Sequence, residues 1–149
     1  REVLKMKMEM VKASEENSLQ SMDMEDGKII YTSLQCDTVT DKRKLYNLVF
    51  GGSNESIADH LGETIELVDV YIDEVMQEGD NGASKMPRTI LVDANGVAYI
   101  GVSWGIFNAL KSLLKVFGEP CEWEEPIKIK FARRKCNNGY FCNTFEVEE

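Results

Sequence analysis

The sequence predicts a mainly β fold, a small barrel with one helix and an N-terminal extension. Three observations lead there. A long β-branched run covers residues 64–76, and two strand pairs, 88–102 and 127–147, each turn through an Asn-Gly step. An apolar helical segment, 103–117, lies between the pairs. The order is strand, strand, strand, helix, strand, strand, which is that of a five-stranded OB-fold barrel (β-β-β-α-β-β). The chain has 149 residues, more than such a barrel needs. The expected division is a mobile or weakly structured arm over 1–27, an extension packing on the barrel over 28–62, and the OB-fold domain over 63–149.

Each element has a reason in the sequence. In the arm, Leu4, Met6, Met8 and Met10 alternate weakly with charges, and 14–26 has no apolar stripe. Residues 29–34 read as an added strand. In 42–50, Leu45, Tyr46, Val49 and Phe50 recur at helical spacing, and Gly51-Gly52 would end that helix. Residues 56–61 suit one helical turn. In the run 64–76 the apolar parity changes, from Ile65 and Leu67 to Val68, Val70 and Ile72, which predicts a bulge or bend near Leu67. The polar stretch 77–85, with Gly79 and Gly82, reads as a flexible loop.

Register follows from alternation. In the second hairpin a two-residue turn would set Phe131 against Glu146, apolar against charged. A three-residue loop, Asn137-Asn138-Gly139, pairs Phe131 with Phe145, Ile129 with Val147, Lys130 with Glu146 and Lys128 with Glu148. A one-residue slip inverts every side chain, so the three-residue loop is expected, with Gly139 left-handed. The same reasoning in the first hairpin pairs Ile90 with Ile100 and Val92 with Ala98, inside. It leaves Leu91 opposite Tyr99, and Thr89 opposite Gly101, on the other face.

Ser103 is the expected N-cap of the helix, Ile106, Phe107, Leu110, Leu113, Leu114 and Phe117 its apolar face, and Gly118 and Pro120 its stop. Such a helix would plug the bottom of the barrel. Trp104 fits a hydrophobic staple there better than a base platform. Trp123, between glutamates, suits packing over the barrel edge.

Charge is unevenly spread. The net charge is −9, and residues 36–80 hold eleven acids against three bases, while 81–145 hold nine bases against five acids. No acid falls between Ile127 and Phe145. A basic strand pair on an acidic protein offers a local phosphate track. The four cysteines, Cys36, Cys121, Cys136 and Cys142, match no common zinc spacing and are expected to be reduced thiols. No metal and no cofactor is expected. His60, the one histidine, has no nucleophile pattern around it, and Asp69, Asp73 and Glu74 read as a solvated acidic face, so no catalytic residue and no enzyme is expected. No apolar run approaches the ~20 residues of a membrane helix, and no signal peptide is evident after Arg1.

The segments Arg88-Thr-Ile-Leu-Val-Asp-Ala-Asn-Gly96, Val102-Ser-Trp-Gly-Ile-Phe-Asn-Ala-Leu110, Val116-Phe-Gly-Glu-Pro120 and Trp123-Glu-Glu-Pro-Ile-Lys-Ile-Lys130 carry a resemblance. Over residues 45–147 the chain resembles single-stranded DNA-binding proteins of phages infecting Gram-positive bacteria. The resemblance implies an OB-fold that coats single strands in DNA replication or recombination, without strong sequence preference, in the cytoplasm of an infected host. It implies single-stranded DNA as partner, with replication or recombination proteins and a second copy of the chain as further candidates. The chain lacks the long Gly/Pro/Gln-rich linker and acidic tip of the better-known bacterial proteins of this function; it has only the short acidic run 146–149. Single strands bind through basic grooves and aromatic platforms. The expected contacts are Arg88, Lys128, Lys130, Arg133, Arg134 and Lys135 for phosphates, with Tyr99 first and Tyr140 second for stacking. Lys128 and Lys130 would be partly neutralised by Glu148 and Glu146, which shifts the weight to the hairpin tip. The competing reading is an acidic OB-like interaction factor that mimics nucleic acid or blocks a basic partner.

Overall fold

The computed structural model describes residues 28–52, 54–136 and 139–149; the arm expected over 1–27 lies outside them. The described chain is mainly β, with two helices and a seven-stranded sheet curled into a half-barrel. The strands are β1 (Ile29–Thr32), β2 (Glu55–Ser56), β3 (Thr64–Gly79), β4 (Gly82–Asp93), β5 (Ala98–Val102), β6 (Ile127–Lys135) and β7 (Phe141–Val147). The helices are α1 (Val39–Phe50) and α2 (Trp104–Phe117), with short 3-10 turns at Ile57–His60 and Pro120–Glu122. The spatial order is β2-β5-β4-β3-β6-β7, with β1 also paired to β3. All pairs are antiparallel except β2 with β5.

This order differs from the expected five-stranded OB-fold barrel in two respects. Two further strands, β1 and β2, join the sheet, and among the described residues β5 and β7 do not pair. The edge of β5 is taken by β2, so it is not open to β7. The α2 helix instead meets β7: a Cβ on Gly105 would come within 2.3 Å of the Asn143 carbonyl oxygen. Only glycine permits that approach of helix to strand. The arrangement remains consistent with an OB-like barrel.

Strand β3 organises the sheet. Its first residues, Thr64 to Leu67, pair with Lys130 to Ile127 of β6, while from Leu67 onward it pairs with β4. A bulge between Leu67 and Asp69 separates the two stretches, as the parity change predicts, because one extra residue both bends a strand and moves its apolar side chains to the other face. The expected loop over 77–85 is absent. Gln77 pairs with Ser84, Glu78 with Ala83 and Gly79 with Gly82, so β3 and β4 form one long hairpin turning at Asp80-Asn81. Gly82 has φ +97°, which a side chain would oppose.

Both other hairpins have the expected registers. Ile90 pairs with Ile100 and Leu91 with Tyr99, and Phe131 pairs with Phe145 and Ile129 with Val147. Gly96 and Gly139 are left-handed at φ +82° and +85°, while Asn137 and Asn138 lie outside the described residues. The α2 cap is also as expected: Ser103 Oγ accepts from the Ile106 N–H at 3.3 Å, and the Gly118 N–H donates to the Leu114 carbonyl at 2.9 Å.

The core lies on both faces of the sheet. Inside the curl, Leu67, Val70, Ile72, Leu91, Tyr99, Ile129, Phe131 and Phe145 pack with Ile106, Leu110 and Leu113 of α2. Val147 stays at the rim, partly exposed. On the outward face Tyr71, Ile90, Val92 and Ala98 pack under Val49, Leu45 and Leu48 of α1. The expected faces of β4–β5 are therefore exchanged. The Leu91–Tyr99 side enters the half-barrel, and the Ile90–Val92 side, expected inside, is covered by α1.

Candidate nucleic-acid interface

The basic hairpin β6–β7 is the most cationic element of the described chain. Side chains alternate along β6, so Ile127, Ile129 and Phe131 are buried while Lys128 and Lys130 are exposed. Beyond Phe131 the hairpin leaves the core, and Arg133, Arg134 and Lys135 are all exposed. Tyr140 and Phe141 return beside them, 74% and 61% exposed. The Arg133 guanidinium lies 5.1 Å from the centre of the Phe141 ring, a cation–π contact that holds a flat apolar surface beside a positive charge. Phe141 was not among the residues expected to bind, although its place in the loop beside Tyr140 was the available signal.

The expected neutralisation falls elsewhere. Lys130 pairs with Glu146 in register, yet the Glu146 carboxylate reaches Arg134 Nη2 at 3.3 Å. Glu148 accepts from Thr64 Oγ1 at 2.5 Å. Among the described residues Lys128 and Lys130 have no ion-pair partner. The Arg134–Glu146 pair is exposed on both sides and contributes at most a few tenths to about 1 kcal/mol.

Two of the expected contacts are engaged within the fold. Tyr99 is 9% exposed, and its ring packs against Phe131 at 5.4 Å and edge-on to His60 at 5.2 Å. Its hydroxyl donates to Asp93 Oδ2 at 3.4 Å. Burial, with Asp93 second, holds the Tyr99 phenol above its ordinary pKa. The Tyr99 ring is thus held within the inner core. Arg88 donates through Nε to Asp73 Oδ1 at 2.8 Å and through Nη2 to Oδ2, and its guanidinium lies 5.5 Å from the centre of the Phe50 ring. Asp73 is 5% exposed and also accepts from Tyr71 Oη at 2.9 Å. Arg88 thus neutralises a buried carboxylate.

The acidic face expected on β3 is likewise structural in part. Asp73 is buried, and Asp69 accepts from Ser33 Oγ at 2.9 Å under β1. Burial raises the Asp69 pKa, and the Ser33 hydrogen bond opposes that rise. The expected reduced thiols are also corrected at two positions. Cys136 and Cys142 are disulfide-bonded across the base of the β6–β7 loop, with Cα atoms 6.3 Å apart. Cys36 and Cys121 are free. Their pairing was not legible because the register brings them near each other only diagonally. Trp104 is 53% exposed and edge-on to Phe107, while Trp123 Nε1 donates to the Gly118 carbonyl and packs on the core edge.

Among the described residues no group of histidine, cysteine, aspartate or glutamate is arranged to hold a metal ion, and no helix is long and apolar enough to cross a membrane. A curled β half-barrel with a protruding arm of arginines and exposed aromatics has the features of a binding module for flexible polyanions. The model of the phage single-stranded DNA-binding protein family, of the Phi29 type, matches residues 24–148. The chain belongs to that family, whose members bind single-stranded DNA and are not enzymes. The match reaches further toward the N-terminus than the resemblance over 45–147 and takes in β1 and all of α1. No curated protein and no solved structure matches the chain.

Proposed function

We propose that this protein coats single strands in phage DNA replication or recombination, without strong sequence preference, in the cytoplasm of the infected host. The reading takes the half-barrel as an OB-fold in which β3, β4, β5, β6 and β7 are the five barrel strands. The β6–β7 loop then corresponds to the last loop of the barrel, one of the two that hold oligonucleotides in such folds. One observation carries the reading beyond family membership. The exposed residues Arg133, Arg134, Lys135, Tyr140 and Phe141 bring phosphate-binding and stacking groups to that loop, and Lys128 and Lys130 are exposed further along β6 on the strand face of Arg134, opposite that of Arg133. Stacking and phosphate contacts, which such a set can make, depend little on base identity, and this supports sequence tolerance. The acidic-mimic reading loses Asp73, whose charge is paired with Arg88 inside the fold.

A fluorescence titration with oligo-dT and a mixed-sequence oligomer tests it. Both should bind with similar affinity at about 50 mM salt, with log K falling linearly against log salt. Arg133→Ser and Lys130→Ser should each lower that slope by about 0.7. Failure of the wild type to bind at micromolar protein and low salt would refute the proposal.

A further inference from the structure

In OB-folds the outward face of the second and third strands commonly carries the single strand. Here those strands are β4 and β5, and their outward residues Ile90, Val92 and Ala98 are buried under α1. No base can reach that face while α1 is in place. The helix itself presents a different surface to solvent.

We infer that α1 supplies a second single-strand contact surface, in which Tyr46 and Phe50 stack bases and Lys42 and Arg43 hold phosphates. This rests on the reading of the chain as a single-stranded DNA-binding protein. The four residues are spaced i, i+1, i+4 and i+8, so they share one flank of the helix, while Leu45, Leu48 and Val49 face the sheet. Tyr46 is 64% and Phe50 58% exposed, with ring centroids 5.4 Å apart. Two adjacent aromatics held in solvent gain nothing for the core. The Arg88 guanidinium beneath Phe50 fixes that ring at the sheet margin.

The charge supports the same occupant. Lys42, Arg43 and Lys44 are the sole bases of the acidic segment 36–80, and among the described residues none of them has an ion-pair partner. They lie near the N-terminal end of α1, where the helix dipole is positive and bases disfavour the helix. Helix stability therefore does not account for them. A polyanion does, through the charge of the bases themselves, since the end of the helix is already capped by Thr38 and the Asp41 carboxylate. Aromatics beside these bases select a strand with unpaired bases over a duplex, whose bases are already stacked.

The test compares four proteins for binding to oligo-dT: wild type, Tyr46→Ala/Phe50→Ala, Lys42→Ser/Arg43→Ser, and Arg133→Ser in the hairpin. Thermal melts establish that each is folded. The aromatic variant should lose roughly tenfold or more in affinity with an unchanged salt slope. The basic variant should lower the slope by about one to one and a half units. In parallel, wild type is photocrosslinked to an oligomer carrying 5-iododeoxyuridine and the adducts are mapped by mass spectrometry. Adducts on Tyr46 or Phe50 are expected, and this measurement decides if a variant does not fold.

Absence of wild-type binding removes the DNA-binding reading and this inference with it. Normal wild-type binding, a reduced slope in Arg133→Ser, unchanged binding in both α1 variants and adducts confined to the hairpin would overturn the α1 surface alone. Tighter binding by the α1 variants, or a changed oligomeric state with unchanged DNA affinity, would also overturn it. The helix would then be a cover or a protein contact.

Discussion

Arg88→Met separates a structural role from a DNA contact. In the wild type the Asp73 carboxylate accepts three hydrogen bonds, two from the Arg88 guanidinium and one from Tyr71 Oη, while 5% exposed. Methionine keeps much of the apolar stem but leaves a buried carboxylate with one neutral donor. Breaking a buried pair from one side costs about 3–5 kcal/mol, since the remaining charge is uncompensated. Total stabilities are of the order of 5–15 kcal/mol, so urea unfolding should show a large fraction lost, with a melting temperature lower by about 10 °C or more. The double variant Arg88→Met/Asp73→Asn removes the orphaned charge and lets the new side-chain amide carbonyl accept from Tyr71, so it should recover most of the loss. The coupling between the two sites is the decisive quantity. Suppose Arg88→Met stays within about 1 kcal/mol of wild type and lowers the oligo-dT salt slope. Arg88 would then be the phosphate contact that the sequence alone suggested, and the structural account would be wrong.

Three further outcomes are expected. Gly105→Ala places a Cβ 2.3 Å from the Asn143 carbonyl oxygen, so α2 must move off β7; a loss of about 1–3 kcal/mol should appear in thermal melts, and an unchanged melting temperature would refute the close packing. Burial raises the folded pKa of Asp69 above its ordinary 3.8, so the folded state holds this proton to higher pH than the unfolded chain. That contribution is complete below about pH 4 and is lost as pH rises through the folded value. Asp69→Asn, which can still accept from Ser33, should therefore exceed wild type in stability at pH 7, with the advantage closing at about pH 3.5; a pH-independent difference would contradict it. Reducing the Cys136–Cys142 disulfide frees a short loop and should lower stability by about 2 kcal/mol on the chain-entropy account, read from denaturation with and without dithiothreitol.

The candidate site was partly legible. The hairpin tip, with Arg133, Arg134, Lys135 and Tyr140, came from composition and turn position, and all of these side chains are exposed. That Arg88 and Tyr99 are engaged within the fold was missed for two reasons: for Tyr99, alternation does not tell the two faces of β4–β5 apart, and for Arg88, the pairing of β3 with β4 was not recognised. The stretch 77–85 looked like a loop, so the β3–β4 register was open. A two-residue turn at Asp80-Asn81, flanked by Gly79 and Gly82, would have fixed it and set Asp73 opposite Arg88 by counting. The Tyr46–Phe50 pair was visible as an i, i+4 spacing, but that spacing describes a core stripe equally well.

What the sequence determined by itself is local. Alternation and turn chemistry set the registers of β4–β5 and β6–β7, the bulge at Leu67, the left-handed Gly139, and both ends of α2, because each depends on residues near one another in the chain. Tertiary structure alone decided which face of each strand is which. Ile90 and Leu91 are both fully buried, one under α1 and the other inside the curl, and alternation of two apolar sets carries no sign that tells them apart. Whether the barrel closes was also beyond the sequence. That depends on β2 occupying the edge of β5 and on α2 reaching β7 through Gly105, contacts between segments far apart in the chain.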